Sequence, residues 1–129
     1  MGCDIHFHVE YRRRGRGDVW YHSAANKFSY RDYDMFAALA NVRNYGNIKP
    51  LKVKGIPNNV SFLTFHDYGL WEKDAFSYSW CTSDELNDCI SEVRRKGDND
   101  PVEFVAILAY MKVFEDAGYD TRAVFWFDD

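Results

Sequence analysis

Cys3, Ile5, Phe7, Val9 and Tyr11 alternate with Asp4, His6, His8 and Glu10, and this period of two predicts a strand with one apolar and one polar face over residues 3–11. Arg12-Arg13-Arg14-Gly15-Arg16-Gly17-Asp18 supplies the glycines and small polar residue of a tight connection, and Val19-Trp20-Tyr21-His22 reads as the returning strand of a hairpin. Residues 23–30 read as a connection. Arg31-Asp32-Tyr33-Asp34 then opens a helix, because Asp32 can cap free N–H groups and an acidic pair suits the positive end of the helix dipole. Met35, Phe36, Leu39 and Val42 recur at helical spacing and should face the core, with residues 43–47 ending the helix.

Periodicity fades from Ile48 to Ala75, where Pro50, Gly55, Pro57 and Asn58-Asn59 act as breakers. Phe62, Phe65, Tyr68, Leu70 and Trp71 make this segment too aromatic for a free linker. It reads as a long aromatic loop packed over the sheet with one short helix, His66-Asp67 at its centre, serving as a lid or as a structural cover. Phe76-Ser77-Tyr78-Ser79-Trp80 alternates like a strand. Thr82-Ser83-Asp84-Glu85 is a capping box, followed by Leu86, Cys89, Ile90 and Val93 on one helical face up to Gly97. Asp100-Pro101-Val102-Glu103 repeats the cap-and-acid pattern and starts a largely apolar helix ending at Gly118, expected to be the central one. Arg122-Ala123-Val124-Phe125-Trp126-Phe127-Asp128-Asp129 reads as a central strand covered on both faces, with its acidic end beside the opening strand if the two terminal strands pair. The fold class is α+β, a single domain over residues 1–129 with a small antiparallel or mixed sheet and about three helices.

Composition narrows the partners. The chain has 129 residues, 47% hydrophobic and 28% charged, as expected of a globular domain with one core, and a net charge of -4 gives no general attraction to extended nucleic acid. Arg12, Arg13, Arg14 and Arg16 are the local exception, either a solvated hairpin tip or a clamp for phosphate. Cys3, Cys81 and Cys89 form no C-x-x-C pattern and, being odd in number, argue for reduced thiols in an intracellular protein. No apolar run approaches the roughly 18 residues of a membrane span, no signal-peptide pattern opens the chain, and Met1-Gly2-Cys3 lacks the Ser or Thr at position 6 that myristoylation requires.

Taken together, Met1-Gly2-Cys3-Asp4-Ile5-His6, Arg31-Asp32-Tyr33-Asp34-x-Phe36, Val42-Arg43-Asn44, Gly55-Ile56-Pro57, Ser79-Trp80 and Val124-Phe125-Trp126-Phe127-Asp128 resemble a family of small uncharacterised bacteriophage and prophage proteins. The resemblance runs from end to end. It implies a phage context, hence the cytoplasm of an infected bacterial host, and no particular activity. In such relatives a histidine pair precedes Ser79-Trp80 where this chain has Phe76 and Tyr78, so a metal site built on that pair would be lost here.

The polar face of the first strand supports three readings. Asp4, His6 and His8 form a half-site for a divalent metal such as zinc, iron or manganese, which His22, His66, Asp67 or Asp128 would complete for a metal-dependent hydrolase or phosphoesterase; His66 is the fourth ligand chosen. Alternatively they form a structural polar network, with His6 bonded to Asp4, Asp32 or Asp34. The reading preferred on residue types is a pocket for a nucleotide-like or other phosphate-bearing small molecule. Asp4, His6, Arg31, Asp32, Asp34, Arg43, Tyr78 and Trp80 would line it, Trp20, Tyr45 and Trp71 would add stacking surface, and the arginine hairpin would meet phosphates. In a phage protein such a pocket could sequester a host-defence signal. A further class is an inhibitor whose aromatic loop binds a host protein, and a homo-oligomer is compatible with any of these. No nucleophile motif and no phosphate loop is present.

Overall fold

The alternation at the N-terminus becomes strand β1, Asp4–Arg13, in a computed structural model that describes residues 2–17, 19–97 and 99–129. Met1 and Asp18, assigned above to the N-terminal motif and the hairpin connection, lie outside the described residues. β1 pairs antiparallel on one side with β2, Tyr21–Asn26, and on the other with β4, Tyr119–Asp128; β3, Ala75–Cys81, pairs antiparallel with β4. The order is β2-β1-β4-β3, so the two terminal strands are neighbours at the centre of an antiparallel sheet. Asp4 faces Asp128 across that pairing, which puts the acidic end of the chain beside the opening strand.

Among the described residues the helices are α1 (Tyr33–Ala40), α2 (Phe62–Trp71), α3 (Ser83–Lys96) and α4 (Val102–Asp116), four rather than three in an α+β fold. Phe7, Val9, Cys81, Ala123, Phe125 and Phe127 point from the sheet into a core shared with α1, α3 and α4. α2 lies on the opposite, polar face and buries only Thr64 of its own residues, its Asp67 and Trp71 meeting β1 histidines. Both sheet faces are therefore covered, and β4 is buried from Thr121 to Phe127.

Several local expectations shift. β2 begins at Tyr21 and runs to Asn26, through residues read as a connection, with an irregularity opposite Val9/Glu10. As a half-exposed edge strand made of Ser23, Ala24 and Ala25, it carries little hydrophobic alternation to reveal it. The most buried helix is α1, in which Met35 through Ala40 are all buried; α4 buries Phe104, Ile107 and Met111, packs Val105 and Leu108 partly against the core, and leaves Val102 and Val113 exposed. The cap expected at Asp100 does not form. Its carboxylate accepts from Arg94 and Glu103 accepts from Ser29, leaving α4 with no side-chain cap among the described residues. Asp32 does cap α1, accepting from the Met35 N–H, and Thr82 and Glu85 make the reciprocal bonds of a capping box on α3. Among the described residues no helix is long and apolar enough to cross a membrane.

Candidate functional site

Register decides what the polar face contains. Down the β1–β4 pairing, Asp4 stands opposite Asp128, His6 opposite Trp126, His8 opposite Val124, Glu10 opposite Arg122 and Arg12 opposite Asp120. Because side chains alternate, all of these share one face, and it runs from a histidine end to an arginine end.

At the histidine end, His6 Nε2 lies 2.5 Å from Asp128 Oδ2, and its ring sits between Trp71, with centroids 4.4 Å apart, and Trp126. His8 is 4% exposed and uses both ring nitrogens: Nε2 is 2.6 Å from Asp67 Oδ2 on α2, and Nδ1 is 3.0 Å from His22 Nε2 on β2. Burial pushes the His8 pKa below its ordinary value, against the raising pull of Asp67, and burial followed by the neighbouring His8 lowers that of His22. A cavity of about 710 Å³ opens here, walled by Asp4, His6, His8, His22, Asp67 and Trp71, with Lys27 also lining it. Arg31 forks onto Asp4 at 2.9 and 3.3 Å.

At the arginine end, Glu10 is fully buried and accepts from Arg122 at 2.8 Å on one carboxylate oxygen and from the Ser61 N–H at 2.7 Å on the other. Arg122 also donates to the Asn59 side chain and carbonyl, and burial lowers its pKa. A second cavity of about 540 Å³ lies beyond this pair, lined by Arg12, Arg14, Arg122, Trp20 and Trp80 among others. Arg12 and Arg122 stack on the Trp20 indole at 4.6 and 4.0 Å, while Arg12 and Arg14 approach the single carboxylate of Asp120 at 3.2 and 3.7 Å. The Trp20 Nε1 is buried without a hydrogen-bond partner among the described residues.

No family model, no curated protein and no solved structure matches this chain.

The residues read from the sequence as one pocket are spread over the fold. Asp4 and His6 line the histidine cavity, with Arg31 held by Asp4. Trp80 lines the arginine cavity with Lys54 over its ring at 3.9 Å. Tyr78 packs on Trp126 and donates its hydroxyl to the carbonyl of Glu72 at the end of α2. Asp32 is a buried helix cap bonded to Asn99, its pKa raised by burial, and Asp34 sits in the first turn of α1. Arg43 lies over the Tyr33 ring and 3.5 Å from Asp129. Nor do Asp4, His6, His8 and His66 form the proposed metal set. Asp4 is taken by Arg31, both His8 nitrogens are occupied, and His66 is exposed on α2; among the described residues no group of three or more His, Cys, Asp or Glu is placed to hold a metal. His6 is bonded to Asp128 rather than to Asp4, Asp32 or Asp34. Glu10, which the alternation places on the polar face, was not assigned to a site, and Asn59, Asp120, Arg122 and Trp126 were not anticipated. Pairing the terminal strands from Asp4 opposite Asp128 and counting by twos would have found all but Asn59.

Proposed function

We propose that this chain binds a phosphate-bearing small molecule of nucleotide type in the arginine cavity. The observation that carries the reading is that Arg12 and Arg14 share one counter-ion, Asp120, at the wall of a cavity that also holds Trp20 and Trp80. Arg122 is paired with Glu10, and the Glu115 carboxylate on the same wall is engaged by Thr121 and Lys112, so Asp120 is the carboxylate that Arg12 and Arg14 divide between them. Phosphate oxygens match the forked donors of Arg, and the Trp80 ring offers a stacking surface for a base. In the phage context that the family resemblance implies, the ligand would be a nucleotide-type signal of host defence, held in the bacterial cytoplasm.

The test is a thermal-shift and calorimetric titration with inorganic phosphate, pyrophosphate and mono-, di- and cyclic nucleotides. A saturable rise in melting temperature is expected for at least one phosphate-bearing ligand. Arg14→Gln removes a largely exposed side chain and should weaken that binding by roughly tenfold or more, the worth of one charge-assisted bond, while lowering the unliganded melting temperature only slightly, because its bonds to the Glu115 and Tyr119 carbonyls are solvent-exposed. A flat response across the series rejects the reading.

The outer side of α2 supports a second one. Phe62, Phe65 and Leu70 are 81%, 61% and 68% exposed there, an apolar row suited to a host protein or a second copy of the chain. Sedimentation equilibrium of the wild type against Phe62→Ser/Leu70→Ser tests the homo-oligomer directly.

A further inference from the structure

The hydrogen bonds around His8 run in one direction. A carboxylate only accepts, so Asp67 Oδ2 at 2.6 Å requires His8 Nε2 to carry a proton. Burial keeps His8 neutral near pH 7, which leaves its Nδ1 as a lone pair. That nitrogen is 3.0 Å from His22 Nε2, which must therefore donate, and the His22 lone pair falls on Nδ1. No hydrogen bond to His22 Nδ1 is formed among the described residues, and His22 is half-buried in the wall of the 710 Å³ cavity.

We propose that His22 is the general base of a hydrolytic site in this cavity, with His8 and Asp67 as positioning residues behind it and an uncharged small carboxylic ester as substrate. The charge around the cavity selects the substrate class. Asp4 and Asp67 line it and Asp128 stands behind His6, whereas the cations are Lys27 and the Arg31 already committed to Asp4. An anionic phosphoester would meet excess negative charge; a neutral carbonyl would not. Lys27 lines the same cavity, and its ammonium is the group assigned to the oxyanion that develops on attack.

In the first step a water oxygen bonds to the carbonyl carbon as its proton passes to His22 Nδ1. The imidazolium formed keeps donating through Nε2 to His8, which donates to Asp67, so the carboxylate stabilises the new charge through one intervening ring. In the second step the carbonyl re-forms, the C–O bond to the alkoxide breaks, and His22 returns its proton to the alkoxide oxygen. Water and ester are consumed, acid and alcohol are released, and His22 ends as it began. The charged groups facing His22 are His8 and Glu10 from β1 and Asp67 from α2, with Lys27 also lining the cavity.

Two measurements test this. Long-range proton–nitrogen NMR of the wild type at pH 7.5 should show protons on His8 Nε2 and His22 Nε2 and a bare His22 Nδ1; a proton on His22 Nδ1 overturns the assignment. Hydrolysis of p-nitrophenyl acetate should fall about 100-fold or more in His22→Asn, the usual worth of a general base, and stay unchanged in His66→Asn. Asp67→Asn should lower the plateau and move the midpoint of the acid limb to lower pH, because removing the carboxylate weakens His22 as a base, and Asp67→Glu should restore both. A wild-type rate no higher than that of folded His22→Asn, or an acid limb unmoved in Asp67→Asn, also overturns it.

Discussion

Replacing Glu10 by Leu tests the reasoning behind the polar face most directly. Glu10 is fully buried, and the substitution removes the carboxylate that accepts from Arg122 at 2.8 Å and from Ser61 N at 2.7 Å. Arg122, itself only 6% exposed, would keep Asn59 and the Trp20 ring but no counter-ion. Stranding one charge of a buried pair costs about 3–5 kcal/mol, a large part of the roughly 5–15 kcal/mol that holds a domain of this kind together. Arg122→Met should cost a similar amount by stranding Glu10. The double variant removes both charges and strands only neutral donors and acceptors such as the Ser61 N–H, so its cost should drop to about 1–3 kcal/mol. Glu10→Gln keeps the shape and one acceptor, and should fall between wild type and Glu10→Leu. Urea denaturation at pH 7, compared at constant slope, gives all four values. A double variant as destabilised as the sum of the singles, or single variants within about 1 kcal/mol of wild type, would refute the buried-pair account.

Three other outcomes follow from the same coordinates. Burial raises the Cys3 and Cys81 thiols and pushes Cys89 up to about 12, so dithiobisnitrobenzoate at pH 8 should label none of the three in the native protein and all three in urea. The folded pKa of His8 lies below the ordinary 6.5, so the unfolded chain takes up the proton first as pH falls. The stability this represents is complete above about pH 6.5 and is lost below it at up to roughly 1.4 kcal/mol per pH unit until the folded His8 titrates; His8→Gln should flatten that limb in melts between pH 7 and 5. Asn41 ends α1 in the left-handed region at φ 59°, where a β-branched side chain is strained, so Asn41→Val should lose about 1–2 kcal/mol in urea while Asn41→Gly stays near wild type.

What local chemistry controls was legible in the chain. Asp32 and Thr82 mark helix starts because caps act over three residues, and the alternation of residues 3–11 gives β1 because a strand exposes its period directly. α2 was legible only as one short helix in an aromatic loop, because Phe62, Phe65 and Leu70 point outward and give no inward stripe. α4 misled for the opposite reason, being apolar nearly all round although only one side packs. The pocket residues scattered because residue type says which chemistry is available and nothing about which face receives it: Asp32 and Asp34 belong to the helix layer, Asp4 and His6 to the polar face.

The sequence by itself determined the strand that carries His6, His8 and Glu10, and the fact that polar side chains would occupy one of its faces. Only the tertiary structure decided their partners. Asp67, His22, Asp128 and Arg122 reach β1 through strand register and the docking of α2, and their separations from the residues they bond range from 14 to 122 positions along the chain. Sequence periodicity extends over a few residues and does not encode such pairings; a register shift of one would have turned Trp126 and Arg122 into the core and left the histidines and Glu10 without them.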